Sequence, residues 1–188
     1  MRGLGSLGVI AALILAPSLE AQADEPGVPL SAHVTRVVDG DTLHVRLASG
    51  DTIVSLHGID APESDQDYGA EATEALRKMV DGRDVELDVT AENDAHDRIV
   101  AIVYRGDLNV NLAMVKHGFA WAARKYMRKN QDESLCAAED LARENRRGLW
   151  GELMSEVAPW EWRHRRTLLA FTHYTSTSTA DCVAEIGK

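Results

Sequence analysis

Over residues 42–48 apolar and polar side chains alternate one by one, with Leu43, Val45 and Leu47 set against His44 and Arg46, and the pattern returns at Val85, Leu87 and Val89 against Glu86 and Asp88. A period of two turns one face to a core and the other to water, so these segments are half-buried strands. Short runs of this kind at 33–38, 42–48, 52–57, 84–90 and 99–105 give five strands, with Asp39-Gly40 and Ser49-Gly50 as hairpin signals. Between and after them the period lengthens: Ala72, Leu76, Met79 and Val80; Leu112, Val115 and Phe119; Leu135, Ala138, Leu141 and Ala142. That spacing predicts three amphipathic helices. The third is expected to stop with Arg146-Arg147 in its last turn and Gly148 as the residue beyond. Five short strands, one helix before the fourth and two helices at the end imply a small α+β domain built on a five-stranded barrel.

The two ends of the chain read differently. Arg2, an apolar run from Leu7 to Leu19 and then Ala21-Gln22-Ala23 make residues 1–23 a secretory signal peptide cleaved after Ala23. The other reading is an uncleaved anchor, for which the run falls short of the roughly 20 residues a spanning helix needs. Cleavage implies an exported protein, periplasmic or extracellular, with no membrane contact. A linker at 24–32, a domain at 33–150 and a C-terminal extension at 151–188 complete the organisation. Cys136 and Cys182 are the only cysteines, and in an oxidising compartment one bridge is expected, the alternative being two buried thiols. In the chain-entropy account a loop of that length is worth about 4 kcal/mol. The extension carries Trp160, Trp162 and the basic run Arg163 to Arg166, a weak nucleic-acid patch, and then a Ser/Thr-rich stretch, 172–179, expected to be loosely ordered.

With 30 Asp and Glu against 20 Lys and Arg the net charge is −10, which excludes a protein that grips nucleic acid over a broad basic surface. Charge is uneven, however. Residues 24–97 carry 18 acids and 5 bases, whereas 98–188 carry 11 acids and 14 bases. An acidic half beside a mildly basic one suits a cation site facing a phosphate-binding wall, and equally a merely solvated surface.

Candidate chemistry lies in carboxylates. Asp39-Gly40-Asp41-Thr42 sits at one strand junction and Gly58-Ile59-Asp60-Ala61-Pro62-Glu63 follows the next strand but one. Each has a plain reading as a turn or loop. Two Asp on adjacent loops, a carbonyl and waters would also make an open Ca²⁺ site. The seven His form no HExxH, close pair or triad, and His57, His96 and His117 read as turn or surface residues. Ser55 and His57 share a strand face, but a serine hydrolase built on them lacks a nucleophile elbow and an orienting acid.

Taken in order, Val37-Val38-Asp39-Gly40-Asp41-Thr42, Gly58 to Glu63, Asp94-Ala95-His96-Asp97-Arg98, Asn109-Val110-Asn111 through Gly118 and Arg147-Gly148-Leu149-Trp150 resemble the staphylococcal nuclease (thermonuclease-like) family. The resemblance spans about His33 to Trp150 and stops there. It implies an OB-fold barrel carrying a Ca²⁺-dependent phosphodiesterase site that cleaves DNA and RNA to leave 3′-phosphate ends. By resemblance Asp41 and Asp60 are the Ca²⁺ carboxylates, with the Ala61 backbone carbonyl as a further ligand. Glu63 matches the carboxylate that orients or deprotonates the attacking water, and Arg98 one of two phosphate-clamping arginines. The chemistry is consistent, since attack on a phosphodiester adds negative charge that a divalent ion and guanidinium donors offset.

Two positions depart from that family. Ser55 stands where an arginine is expected five residues ahead of Asp60, and a hydroxyl offers neither charge nor a bidentate fork. Loss of one preorganised donor typically costs about 10²–10³ in rate. His57, on the same face, would replace part of that charge if protonated. Arg124 replaces a substrate-stacking tyrosine while Tyr126 keeps an aromatic at the other matching position, so stacking weakens and phosphate contact strengthens. The sequence therefore implies an exported monomeric nuclease with DNA or RNA as substrate, acting by attack of a metal-associated water. The alternative is a catalytically impaired barrel kept as a binding module for nucleic acid or a protein partner.

Overall fold

A computed structural model of the 188-residue chain describes residues 29–91, 98–151, 157–164 and 178–188. Residues 1–23, expected to be a signal peptide, most of the expected linker at 24–32, Asp94 to Asp97, Arg165, Arg166 and 172–177 lie outside the described residues. In chain order the strands are β1 Leu30–Val37, β2 Thr42–Leu47, β3 Gly50–Leu56, β4 Ile59–Asp60, β5 Asp84–Ala91, β6 Ile99–Arg105, β7 Leu108–Asn109 and β8 Trp121–Ala122. The helices are α1 Gly69–Val80, α2 Val110–Lys116, α3 Glu133–Glu144, α4 Pro159–His164 and α5 Thr179–Glu185.

The long strands hydrogen-bond in the order β3-β2-β1-β5-β6, and a parallel pairing of β3 with β6, Val54 opposite Ile99 and Leu56 opposite Ala101, closes them into a five-stranded barrel. This is the OB-like α+β arrangement that the alternating strands and the resemblance implied. The alternation fills the barrel: Val34, Leu43, Val45, Val54, Leu56, Leu87, Ala101 and Val103 are all buried. In β1 the inward residues run Ala32, Val34 and then Val37, a change of phase. The register against β2 slips between Val34 and Arg36, so a bulge there turns Val37 inward and aims the following loop.

Helix α1 lays Ala72, Leu76 and Val80 on the core, as its spacing predicted. Helix α2 ends at Lys116, so Phe119 lies beyond it, after Gly118 in the left-handed region (φ 74°). Helix α3 stops short of the expected position. Asn145 caps it, Arg146 takes the left-handed conformation (φ 51°), and Gly148 opens a 3-10 turn instead of capping α3. The reason is contact: Gly148 and Gly118 lie backbone to backbone, with the Leu149 N–H donating to the Gly118 carbonyl at 2.9 Å. Neither position has room for a side chain.

The chain end is built onto α3. Cys136 on α3 and Cys182 on α5 form a disulfide, both residues buried. Thr179, placed by the sequence in a loose stretch, opens α5, and its amide and hydroxyl both donate to Asp140, at 3.1 and 2.6 Å. No helix among the described residues is long and apolar enough to cross a membrane.

Candidate active site

The Asp39-Gly40-Asp41 loop joins β1 to β2, and the 61–68 loop leads from β4 to α1. Gly40 is what lets them meet. A Cβ added there would stand 2.5 Å from the Ala61 Cβ and 2.9 Å from that of Ala72, so the glycine serves close approach and not a left-handed turn. Across this seam the Asp41 carboxylate accepts the Ala61 N–H at 2.8 Å and the Thr42 hydroxyl at 3.0 Å, while Asp39 accepts the Asp41 N–H at 3.1 Å. Asp41 thus reaches the residue next to Asp60. Burial first, then repulsion from Asp39 and Asp60, lifts the Asp41 carboxyl well above the usual carboxylate range. Burial also raises Asp60, where hydrogen bonds from Arg163 pull the other way and the charges of Glu63 and Asp39 add to the rise.

A buried, mutually repelling set of oxygen donors is the environment a hard cation relieves. Among the described residues no three acidic, His or Cys side chains converge to hold a metal alone. A cation here would take the two carboxylates and complete its shell with a carbonyl and water.

Asp60 is placed by the two-residue strand β4, which pairs with β8 so that Asp60 lies opposite Trp121. Trp121 in turn is met edge-on by Trp150 (centroids 4.4 Å apart) and by Trp160 (5.5 Å). The last ring belongs to the C-terminal extension, which is fastened over the same loop: Gln66 donates to the Val157 carbonyl at 2.6 Å and the Trp162 indole N–H to Asp65 at 3.2 Å. One helical turn after Trp160, Arg163 delivers its guanidinium to the carboxylates. Nη1 donates to Asp60 Oδ1 at 3.0 Å and to Glu63 Oε1 at 2.6 Å, and Nη2 donates to Asp60 Oδ2 at 2.5 Å. The pairing raises the Arg163 pKa further. Arg163 was visible in the sequence only as part of a basic run, because nothing local marks a partner 103 residues away.

The other sequence-predicted residues divide. Ser55 sits half-buried on β3, opposite Thr42 on one side and Val100 on the other, the residue after Asp41 thereby flanking it. Arg98 immediately precedes β6, whose first residue lies opposite Val54. Tyr126, on the 3-10 turn after β8, is 64% exposed. Arg124 is not brought to this surface. It is buried, paired with Glu139 at 3.1 Å and donating to the Ala122 carbonyl, because the interior acid needs a cation more than the solvent edge does. Nor does His57 face the carboxylates. It is 6% exposed, with Nε2 2.7 Å from Asp132 and Nδ1 2.9 Å from Thr90 Oγ1, so it is a buried histidine and not a turn or surface one. Asn111, quoted above only as part of a motif, accepts from the Val103 amide and donates to the His57 carbonyl, both at 2.9 Å, fixing the end of β3 to β6.

Comparison with known proteins agrees with this architecture. A family described as "Staphylococcal nuclease homologue" matches residues 53–152. An "Uncharacterized endonuclease" of Escherichia coli is 38% identical over 138 residues, 73% of this chain and 87% of that protein. A "Micrococcal nuclease" of Shigella flexneri is 35% identical over 164 residues, 82% of this chain and 90% of that protein, and an "Uncharacterized endonuclease" of Haemophilus influenzae is 32% identical over 151 residues, 79% and 82% of the two chains. Helix α4 and Arg163 fall outside the matched family segment. With its barrel, its seam of carboxylates and these relatives, the chain belongs to the staphylococcal nuclease homologue family.

Proposed function

We propose that this chain is an exported, Ca²⁺-dependent nuclease that hydrolyses phosphodiester bonds of DNA or RNA. One observation carries the reading: the Asp41 carboxylate accepts the Ala61 N–H, setting Asp41 beside Asp60 with Glu63 on the same loop, in a family whose relatives are named as nucleases. In this reading Asp41, Asp60 and the Ala61 carbonyl hold Ca²⁺. When bound, the ion supplies positive charge that offsets the charge developing on the phosphate. Glu63 takes a proton from the attacking water, whose oxygen bonds to phosphorus. The bond from phosphorus to the 5′-oxygen breaks, that oxygen takes a proton from solvent, and the 3′-phosphate remains. Arg98 donates to the phosphate oxygens, Ser55 adds at most one neutral hydrogen bond, and the exposed ring of Tyr126 is available to stack a base.

The same reading makes residues 1–23 a signal peptide and the folded chain a monomer. Support for export comes from the apolar run with its small-residue end and from the disulfide, which persists outside a reducing cytosol. A catalytically impaired binding module is the second reading, favoured by Ser55, which supplies no guanidinium at its position on β3.

Digestion of single-stranded DNA by the purified protein, with Ca²⁺ or with EGTA, tests the two. Cleavage that requires Ca²⁺ and falls at least about 10²-fold in Glu63→Ala is expected for the enzyme. A folded chain that binds Ca²⁺ and DNA without cleaving would replace it with the module.

A further inference from the structure

The acidic centre of this molecule contains a cation of its own, and it comes from outside the family-matched segment. Arg163 bridges Asp60 and Glu63 with three hydrogen bonds. Its position does not depend on those bonds alone. Helix α4 is seated independently, by the buried Ala158, by Trp160 against Trp121, by the Val157 carbonyl on Gln66 and by Trp162 on Asp65. The guanidinium is therefore carried to the site by packing and held there by charge. It is also half open, its side chain 45% exposed. A guanidinium has five N–H donors, and among the described residues three are engaged, so Nε and one Nη2 hydrogen remain to meet phosphate oxygens in a fork. Ser55 provides no such group.

We propose that Arg163 is a catalytic residue of this nuclease, a phosphate-binding guanidinium delivered by the C-terminal extension that stabilises the charge developing on the phosphoryl oxygens during water attack. The assignment rests on the nuclease reading above and deepens it. In the free protein Arg163 shields Asp60 and Glu63 from one another. With Asp60 holding a cation, the bond to Glu63 would still keep the guanidinium at the site. Arg163 then has two separable effects: it competes for Asp60 in the free protein, and it lowers the barrier once substrate is bound. A plug would show only the first. A structural prop would move cation binding and turnover downward together.

The test compares full-length wild type, Arg163→Ala and Arg163→Lys in two measurements: calorimetric Ca²⁺ titration without substrate, and kcat and KM on single-stranded DNA at saturating Ca²⁺. For Arg163→Ala the expected result is a kcat fall of about 10²-fold, the usual cost of one preorganised donor, with Ca²⁺ affinity unchanged or tighter. Arg163→Lys, which keeps charge without the fork, falls between the two. Four results would overturn the proposal: an alanine variant as active as wild type, one more active, parallel losses of Ca²⁺ affinity and kcat, or a lysine variant no better than alanine. A wild-type chain that does not cleave overturns the nuclease reading itself, and this inference with it.

Discussion

His57 and Asp132 illustrate how a single residue's role depends on a partner that the neighbouring sequence does not announce. The two are 75 positions apart and both buried; Asp132 also accepts the Arg128 amide at 2.5 Å and its guanidinium at 2.9 Å. Burial alone would raise the Asp132 carboxyl, but the hydrogen bonds from Arg128 and His57 outweigh it and hold it below the usual range. A depressed carboxyl contributes stability that is fully present above its unfolded value, near 3.9, and is lost as pH falls through its folded value. Asp132→Asn is therefore expected to destabilise the protein at pH 7 by about 3 kcal/mol, the order seen when one member of a buried pair is removed. That difference should shrink when urea unfolding is repeated near pH 3. An equal deficit at both pH values would mean that packing, and not the charge of Asp132, is what matters.

Elements differed in how plainly the sequence announced them. The barrel strands were most legible where apolar and polar residues alternate, at Leu43, Val45 and Leu47 and at Val85, Leu87 and Val89, while β1, broken by its bulge, begins at Leu30 and so before the expected start at 33. The carboxylate loops were legible as motifs, though the reason for Gly40, its approach to Ala61 and Ala72, is a tertiary one. The six-residue helix α4 was not, since it has too few turns for a period and its stability comes from Trp121 and Trp150 on other elements. Trp160→Ala removes that seat. It should leave the barrel folded while reducing kcat as Arg163→Ala does, because the guanidinium is no longer brought to Asp60. Hydrogen exchange at the amides of residues 159–163, read beside kcat, checks this. Faster exchange with unchanged turnover would separate the docking of α4 from catalysis.

At the scale of the whole molecule, a closed barrel leaves the strand order no open edge between β3 and β6, so the functional surface is confined to the loops and to what the chain folds over them. The net charge of −10 makes the local supply of positive groups the limiting resource for binding a polyanion, and Arg163 adds one where the acids are densest. Its covalent setting has a further effect. Cys136 and Cys182 are 46 residues apart, and Arg163 lies between them. The guanidinium is thus borne not on a tail with a free end but on a ring. If a protease site is engineered into residues 152–156 and cut, the peptide bearing Arg163 remains tethered through its other end, at an effective concentration set by the ring and not by dilution. Such a nicked protein should cleave DNA at close to its intact rate until the bridge is reduced, and then lose Arg163 by dissociation, making the reductant a switch that acts on composition instead of on shape.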